Sequence, residues 1–477
     1  MKKKNSMRRN ILIALAIVII AVSASYAFFS IKPKYNVVLI VVDTLRADHM
    51  GVYGYVNDTT PNIDEFANRS VVFENAITAA SWTLPSFSSF LSSRHPSELF
   101  YSQGSDEVLY QDVENNVFTV VYRNITVLPQ VLQNNGYNTA AFVTLAPLNI
   151  PGPDKGFYLY DEAGMSDPTW TRYMANGTAK ELTRRVSDWL DANSKNRFFL
   201  MLQYGDVHCP ETPPPEFNVY QPASGKNLSQ YDCNYQFDNP NITITKDDIA
   251  TIRAAYDGDI LYTDYYIGKL LGKIKDLGLD DNTIVIIMAD HGEELAEHYD
   301  YLSHTESPYQ SVSHVPLIIR YPGSQAKRIN TTVGLIDLSP TILDMLGIDQ
   351  PEEFEGKSLL PVISGLETAN RTELYTIGPR IDLSYRGFAL IENSTKIIQY
   401  IDQPDIELYN LSSDPKETEN LADSMPAQTA DMRDKLLSLL SYYEEKNKQF
   451  KDLIMSKLGS NPSQDLKESL NSLGYIS

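Results

Sequence analysis

Four short apolar runs punctuate the chain: "NVVLIVV" from residue 36, "FFLMLQY" from 198, "TIVIIMA" from 283 and "VPLIIRY" from 315. Each is continuous, rich in β-branched residues and bounded by polar clusters, the pattern of strands buried on both faces. Between them lie helical patterns, of which "DIATIRAAYDGDILYTDYYIGKLLGKIKDLG" is the longest, with apolar positions recurring at three and four. Strands alternating with helices predict an α/β fold, a mostly parallel central sheet sandwiched by helices. Past residue 345 the pattern changes. "RTELYTIG", "GFALIENSTKIIQYI" and "IELYNL" alternate and are broken by Gly, Asn and Asp-Pro, which predicts a small antiparallel sheet, and "TADMRDKLLSLLSYYEEKNKQFKDLI" predicts one amphipathic helix. The organisation expected is an N-terminal segment over 1–34, a catalytic domain over 35–345, a small C-terminal subdomain over 346–445 and a C-terminal tail over 446–477, loosely packed over its last twenty residues. No internal repeat is present.

The residues that follow the runs carry the chemistry. Asp43 ends the first, Asp206 and His208 follow the second, and Asp290 with His291 ends the third. Ligands of open parallel sheets sit at the carboxyl ends of strands, so three segments distant in sequence deliver acids and imidazoles to one edge. "SWTLPSFSSFLSS" reads as a helix entered through Thr83, with Pro85 in its first turn, where amides lack helical partners. Carboxylate oxygen and imidazole nitrogen hold a dication, which activates an oxygen nucleophile by lowering its pKa. Asp43, Asp290 and His291 are such ligands and Thr83 is such a nucleophile, placed where the helix dipole also favours an anion. Taken singly, the Thr reads as an ordinary N-cap and the Asp-His as a loop pair.

Charge divides the chain in two. Seven of its 40 Lys and Arg precede residue 35 with no acid among them, which leaves the remainder with a net charge of −28. An acidic body argues against a nucleic-acid partner. Residues 11–29, "ILIALAIVIIAVSASYAFF", form a chargeless stretch of bilayer-spanning length behind a basic N-terminus. The expectation is a signal-anchor with the catalytic domain outside the cell membrane; "AVSAS" and "ASYA" offer the alternative of a cleaved signal and a secreted protein. Sequons at Asn57, Asn68, Asn124, Asn176, Asn227, Asn241, Asn330, Asn370, Asn393 and Asn410 fit export. Two cysteines, Cys209 and Cys233, allow at most one disulfide and exclude a disulfide-built scaffold.

"NVVLIVVDTLRADHMGVYGY", "TPNIDEFANRSVVFENA", "ADHGEELAEH", "SHVPLIIRYPG", "IDLSPTILDMLGI", "EGKSLLP", "ELYNLSSDPKETENLA" and the closing "LNSLGYIS" resemble, in order, the signatures of the sulfatase family within the alkaline phosphatase superfamily. The resemblance implies metal-dependent hydrolysis of sulfate or phosphate esters through a covalent nucleophile. Matched by position, Asp43, Asp290 and His291 bind the metal, Thr83 is the nucleophile, His208 faces substrate, and His304 protonates a leaving group. Two positions depart from the family. Sulfate-cleaving members carry Cys or Ser, converted to formylglycine, in Cys/Ser-x-Pro-x-Arg; here Thr83-Leu84-Pro85-Ser86-Phe87 stands, and a threonine, with a methyl on its β-carbon, yields no formylglycine. Ser303 replaces a lysine frequent before the later histidine. Both changes remove positive charge and favour phosphoester chemistry, as in superfamily phosphodiesterases, phosphonate hydrolases and phospho-group transferases.

The ligand set shifts the expected metal from calcium toward zinc or manganese. Asp206, His208 and His304 either hold a second zinc, as in two-metal members of the superfamily, or serve substrate beside one metal. Arg46 and His49 either touch substrate or form a loop ion pair. Asp257, Asp259 and Asp264 read as the solvated face of the long helix, His298 as a solvated helix residue and His314 as a satisfied strand-start residue. Three functions follow: hydrolase of sulfated or phosphorylated glycans or lipids, membrane-anchored transferase of a phospho-group to surface acceptors, and inactive sulfatase fold acting as a binding protein.

Overall fold

The run 36–42 forms the centre of the molecule because all seven of its side chains, β-branched except for Asn36 and Leu39, are buried on both faces. In the computed structural model the described residues are 35–100, 123–144, 152–162, 178–220, 245–298, 302–304, 307–366, 372–377, 387–400 and 405–458. The span 11–29, Cys233 and the chain beyond 458 lie outside them. Among the described residues no helix is long and apolar enough to cross a membrane.

Eight strands form the main sheet: β1 (Asn36–Val42), β2 (Val71–Ile77), β3 (Asn138–Val143), β4 (Leu159–Asp161), β5 (Phe198–Tyr204), β6 (Thr283–Ala289), β9 (His314–Arg320) and β10 (Lys327–Gly334). Their order is β10-β2-β9-β6-β1-β5-β3-β4. Only β9 runs against the others, pairing antiparallel with both β6 and β2. All four runs singled out in the sequence are strands. β2, β3, β4 and β10 were not singled out, and the outer strand β10, "KRINTTVG", is mixed in burial and carries no continuous apolar run.

Between β6 and β9 a two-stranded hairpin, β7 (Glu294–Leu295) and β8 (Leu302–Ser303), pairs Glu294 with Ser303. The C-terminal sheet is β11 (Thr372–Ile377), β12 (Gly387–Glu392), β13 (Thr395–Tyr400) and β14 (Ile406–Asn410), antiparallel throughout. Against it packs the helix Pro426–Leu458, whose Met432 and Leu436 join Phe388, Leu390, Ile397 and Leu408 in a second core. That helix, expected over 429–454, runs on to Leu458, because "EEKNKQFKDLIMSKL" consists of residues compatible with a helix and meets no glycine before Gly459.

The long helix Lys246–Asp276 starts at a capping box, Thr245 accepting from the Asp248 amide while the Asp248 carboxylate accepts from Thr245. Its acids correct the sequence reading. Asp257, Asp259 and Asp264 are buried, not solvated. Asp257 binds His49 Nδ1 (2.7 Å), the Tyr55 hydroxyl and Asn57 Nδ2 (both 2.8 Å). Asp259 accepts from Thr212 N at 2.9 Å. Asp264 accepts from the Asn62 and Ile63 amides, capping from a distance the helix Pro61–Ala67.

Candidate active site

β5, β1 and β6 are neighbours in register, Val42 opposite both Tyr204 and Ala289, so the residues that follow them converge. Asp43 N extends the ladder to Tyr204 O at 2.9 Å. Thr44 then turns at φ +55°, a left-handed conformation that costs a non-glycine residue about 1 kcal/mol or more. Tyr256 holds this turn, donating its hydroxyl to Thr44 O at 2.6 Å and accepting from Arg46 N at 3.0 Å. Gly292 admits no side chain: a Cβ there would lie 2.0 Å from Ser311 O.

Asp43, Asp290 and His291, all buried, place one ligand atom each within 4.8 Å of one another. Asp43 Oδ1 and Asp290 Oδ2 have no hydrogen-bond partner, and such orphaned buried carboxylate oxygens are costly unless a cation meets them. His291 Nδ1 lies 3.0 Å from Gly292 O and donates to it, which leaves the Nε2 lone pair facing Asp43 Oδ1 at 3.7 Å and Asp290 Oδ2 at 3.6 Å. Burial, then Asp290 and Glu293, raises the Asp43 carboxyl far above its ordinary range; burial pushes Asp290 up to about 7. The donor set fits a divalent cation, whose charge would reverse both shifts.

The helix Thr83–Ser92 begins at this cluster. Its N-cap is Trp82, not Thr83, and the Thr83 hydroxyl caps nothing: Oγ1 lies 3.4 Å from both Asp43 Oδ2 and His291 Nε2. Gln203 Nε2 donates to the same Asp43 oxygen at 3.0 Å. Phe87, at the departure from the family pattern, is fully buried with its ring 4.7 Å from that of Phe90, and contributes to the core.

The imidazoles gather beside the cluster, His304 tilted against His291 and edge-on to His208. His304 lies 4.4 Å from His291 and 5.2 Å from His208 between ring centroids. Burial pulls His208 and His304 down to about 4, so both are neutral at neutral pH. His304 Nδ1 is 3.1 and 3.2 Å from the two Glu293 oxygens. Burial pushes Glu293 up to about 8. His208 Nδ1 binds Cys209 O at 2.8 Å, and Cys209 is disulfide-bonded.

Other expected site residues are engaged elsewhere. Arg46 takes the ion-pair reading, its guanidinium bound by Asp48, Glu297 and Glu293 O. Asp206 accepts from Thr178 Oγ1 at 2.6 Å and stands outside the metal cluster. His298 is not on a helix; it stacks on Tyr309 at 3.6 Å and binds Glu294 and Lys416 O. His314 Nε2 donates to Glu74 O at 2.7 Å.

Gln203, Glu293 and Tyr256 went unnoticed in the sequence. Gln203 had a signal, as the one amide inside an otherwise apolar or aromatic strand, and Glu293 had its place directly after the Asp-His-Gly turn.

The α/β sheet thus gathers two aspartates, a histidine and a helix-borne hydroxyl at its strand ends as a candidate metal site. Residues 35–348 match the sulfatase family model, and residues 305–446 match that of the N-sulphoglucosamine sulphohydrolase C-terminal region. The chain belongs to the sulfatase family. It is 36% identical to arylsulfatase K of Bos taurus over 42% of its own length and 38% of that protein's, so the match spans less than half of that relative. An arylsulfatase of Clostridium perfringens is 25% identical over 82% of this chain and 91% of its own. Among solved structures, the phosphonate monoester hydrolase of Agrobacterium radiobacter superposes with a TM-score of 0.68 at 19% identity, covering 86% of this chain and 96% of that one.

Proposed function

We propose that the protein is a metal-dependent hydrolase of sulfate or phosphate esters, phosphoesters favoured, with Thr83 as nucleophile. The observation that carries this reading is the Thr83 hydroxyl, 3.4 Å from Asp43 Oδ2 and His291 Nε2 and beside two unpartnered carboxylate oxygens. Asp43, Asp290 and His291 with Thr83 Oγ1 would hold the divalent cation, zinc or manganese before calcium on this donor set, and when bound it supplies charge neutralisation and an acidified hydroxyl.

The Thr83 hydroxyl donates toward Asp43 Oδ2, which receives its proton. Oγ1 forms a bond to phosphorus as the bond to the leaving oxygen breaks. That oxygen takes a proton from His304 Nε2. Glu293, protonated at neutral pH, donates to Nδ1 and passes its proton across as Nε2 gives up its own. The imidazole therefore delivers a proton without ever carrying charge, which suits its buried site. Water then attacks the phosphothreonine and yields its proton to the His304–Glu293 pair, while the P–Oγ1 bond breaks and Asp43 returns its proton to Thr83 Oγ1.

Phosphoester over sulfate chemistry rests on the residues: threonine forms no formylglycine, Phe87 stands where the family's arginine would be, and Arg46 is already bound. The substrate class is a phosphorylated or sulfated glycan or lipid. The uncharged span 11–29 is what supports a location at the cell membrane, facing outward, or secretion after cleavage; there an acceptor hydroxyl in place of water would make the enzyme a transferase. Loss of the protein from the membrane fraction on deleting residues 1–34 tests the anchor. For the chemistry, residues 35–477 are assayed with metal analysis on an aryl phosphodiester, phosphonate monoester, phosphate and sulfate. The expected result is phosphoester turnover that falls at least ~1,000-fold in Thr83→Ala. Sulfate-only turnover that survives the substitution contradicts the reading, an acceptor-dependent product selects the transferase, and silence with no bound metal selects a binding protein.

A further inference from the structure

Between the two sheets the chain buries an ion pair that the chemistry above does not use. Lys396 Nζ, on β13, lies 2.7 Å from Glu417 Oε1, and both side chains are wholly shielded. A buried pair is a poor source of stability, since apolar replacements of both partners are often neutral or stabilising. Glu417 also sits at φ +55°, where a glycine would be unstrained. Something other than packing retains a carboxylate there.

Both partners reach onward to one segment. Glu417 Oε2 accepts from Gln310 N at 2.5 Å, and Lys396 Nζ donates to Ser313 Oγ at 3.4 Å. That segment returns from His304: Ser307 N bonds to His304 O at 3.1 Å, and Tyr309 N to Ser307 Oγ at 3.2 Å. The Ser307 and Ser311 hydroxyls both donate to Glu294, and Glu293 N bonds to Ser311 O at 3.1 Å. The Tyr309 hydroxyl donates to Glu407 of β14 at 3.1 Å. These hydrogen bonds run from the C-terminal sheet to Glu293 and His304.

We infer that Glu417, its charge met by Lys396, is a positioning residue for catalysis, fixing the segment 307–313 through the Gln310 amide and with it the His304–Glu293 pair, so that the C-terminal subdomain completes the active site. The inference rests on the reading of His304 as the leaving-group acid. A leaving group that is already a good one needs little protonation, whereas a poor one depends on it. Misplacing His304 therefore slows a phenyl ester more than a para-nitrophenyl ester, which loss of general packing does not do.

The test compares methyl para-nitrophenyl phosphate with methyl phenyl phosphate, or the corresponding sulfates if those are the substrates, as the ratio of their kcat/KM. His304→Gln sets the scale and is expected to raise the ratio at least ~10-fold. Lys396→Met/Glu417→Leu, which leaves no buried charge, is expected to raise it comparably, and Lys396→Met/Glu417→Gln, which keeps an acceptor for the Gln310 amide, to stay near wild type. Should the Leu variant not fold, Gln310→Pro removes the same amide hydrogen at the first position of the short helix Gln310–Ser313, where proline is tolerated, and is expected to raise the ratio too. A wild-type ratio in the Leu and Pro variants, or an equal rise in the Gln variant, overturns the positioning role alone. An unchanged ratio in His304→Gln overturns the acid assignment and this inference with it.

Discussion

Asp43 and Asp290 lie side by side, fully buried, each with an oxygen that meets no protein donor. Without a cation their folded-state pKa values stand above those of the unfolded chain, Asp290 at about 7. The folded metal-free protein therefore binds extra protons, and the stability this lends is present at low pH and lost as pH rises through about 7. His208 and His304, held neutral by burial, have the opposite sign, adding stability as pH rises through their ordinary value of about 6.5. Subtracting the chelated from the metal-loaded melting temperature at each pH removes those terms and isolates the carboxylates. The gap is expected to widen from pH 5 to pH 8 and to shrink at both in Asp290→Asn; a gap independent of pH contradicts the metal assignment.

At the scale of elements, the helix Thr83–Ser92 places a hydroxyl at its first residue and an aromatic ring in the core one turn later. Phe87→Arg restores the family's residue type but not its setting, because a guanidinium would be buried without a partner. It is expected to yield little folded protein and no sulfate turnover, while Phe87→Ala costs about 3–5 kcal/mol in denaturant unfolding. A stable, sulfate-cleaving Phe87→Arg protein would refute this. Strands and their polar ends were legible in the sequence because a fully buried strand leaves a continuous apolar run, and the residue breaking it marks the sheet edge: hence Asp43, Asp290 and His291. The long helix was legible as a helix, but the burial of its acids was not, because loops at 47–64 and 209–220 fold back over it. Nothing in its own periodicity told that Asp257, Asp259 and Asp264 would receive their donors from segments some 50 to 200 residues away. Glu293 was hidden for the same reason, its role set by a hairpin that returns His304 to it.

Across the whole molecule, the acidic body and the buried candidate metal cluster fit the proposed function, in which the cationic charge at the reacting group would come from a metal and not from arginine or lysine. The C-terminal subdomain would join in that function through Glu417 and Lys396. What unites these features is the claim that Thr83 forms the covalent bond. The most direct measurement is rapid acid quench of the metal-loaded protein during turnover of an aryl phosphodiester, followed by peptide mapping by mass spectrometry. A phosphoryl-ester adduct on Thr83 in the wild type, absent from Thr83→Ala together with turnover, is the predicted result. Full turnover in Thr83→Ala, or an adduct on another residue, would contradict the account.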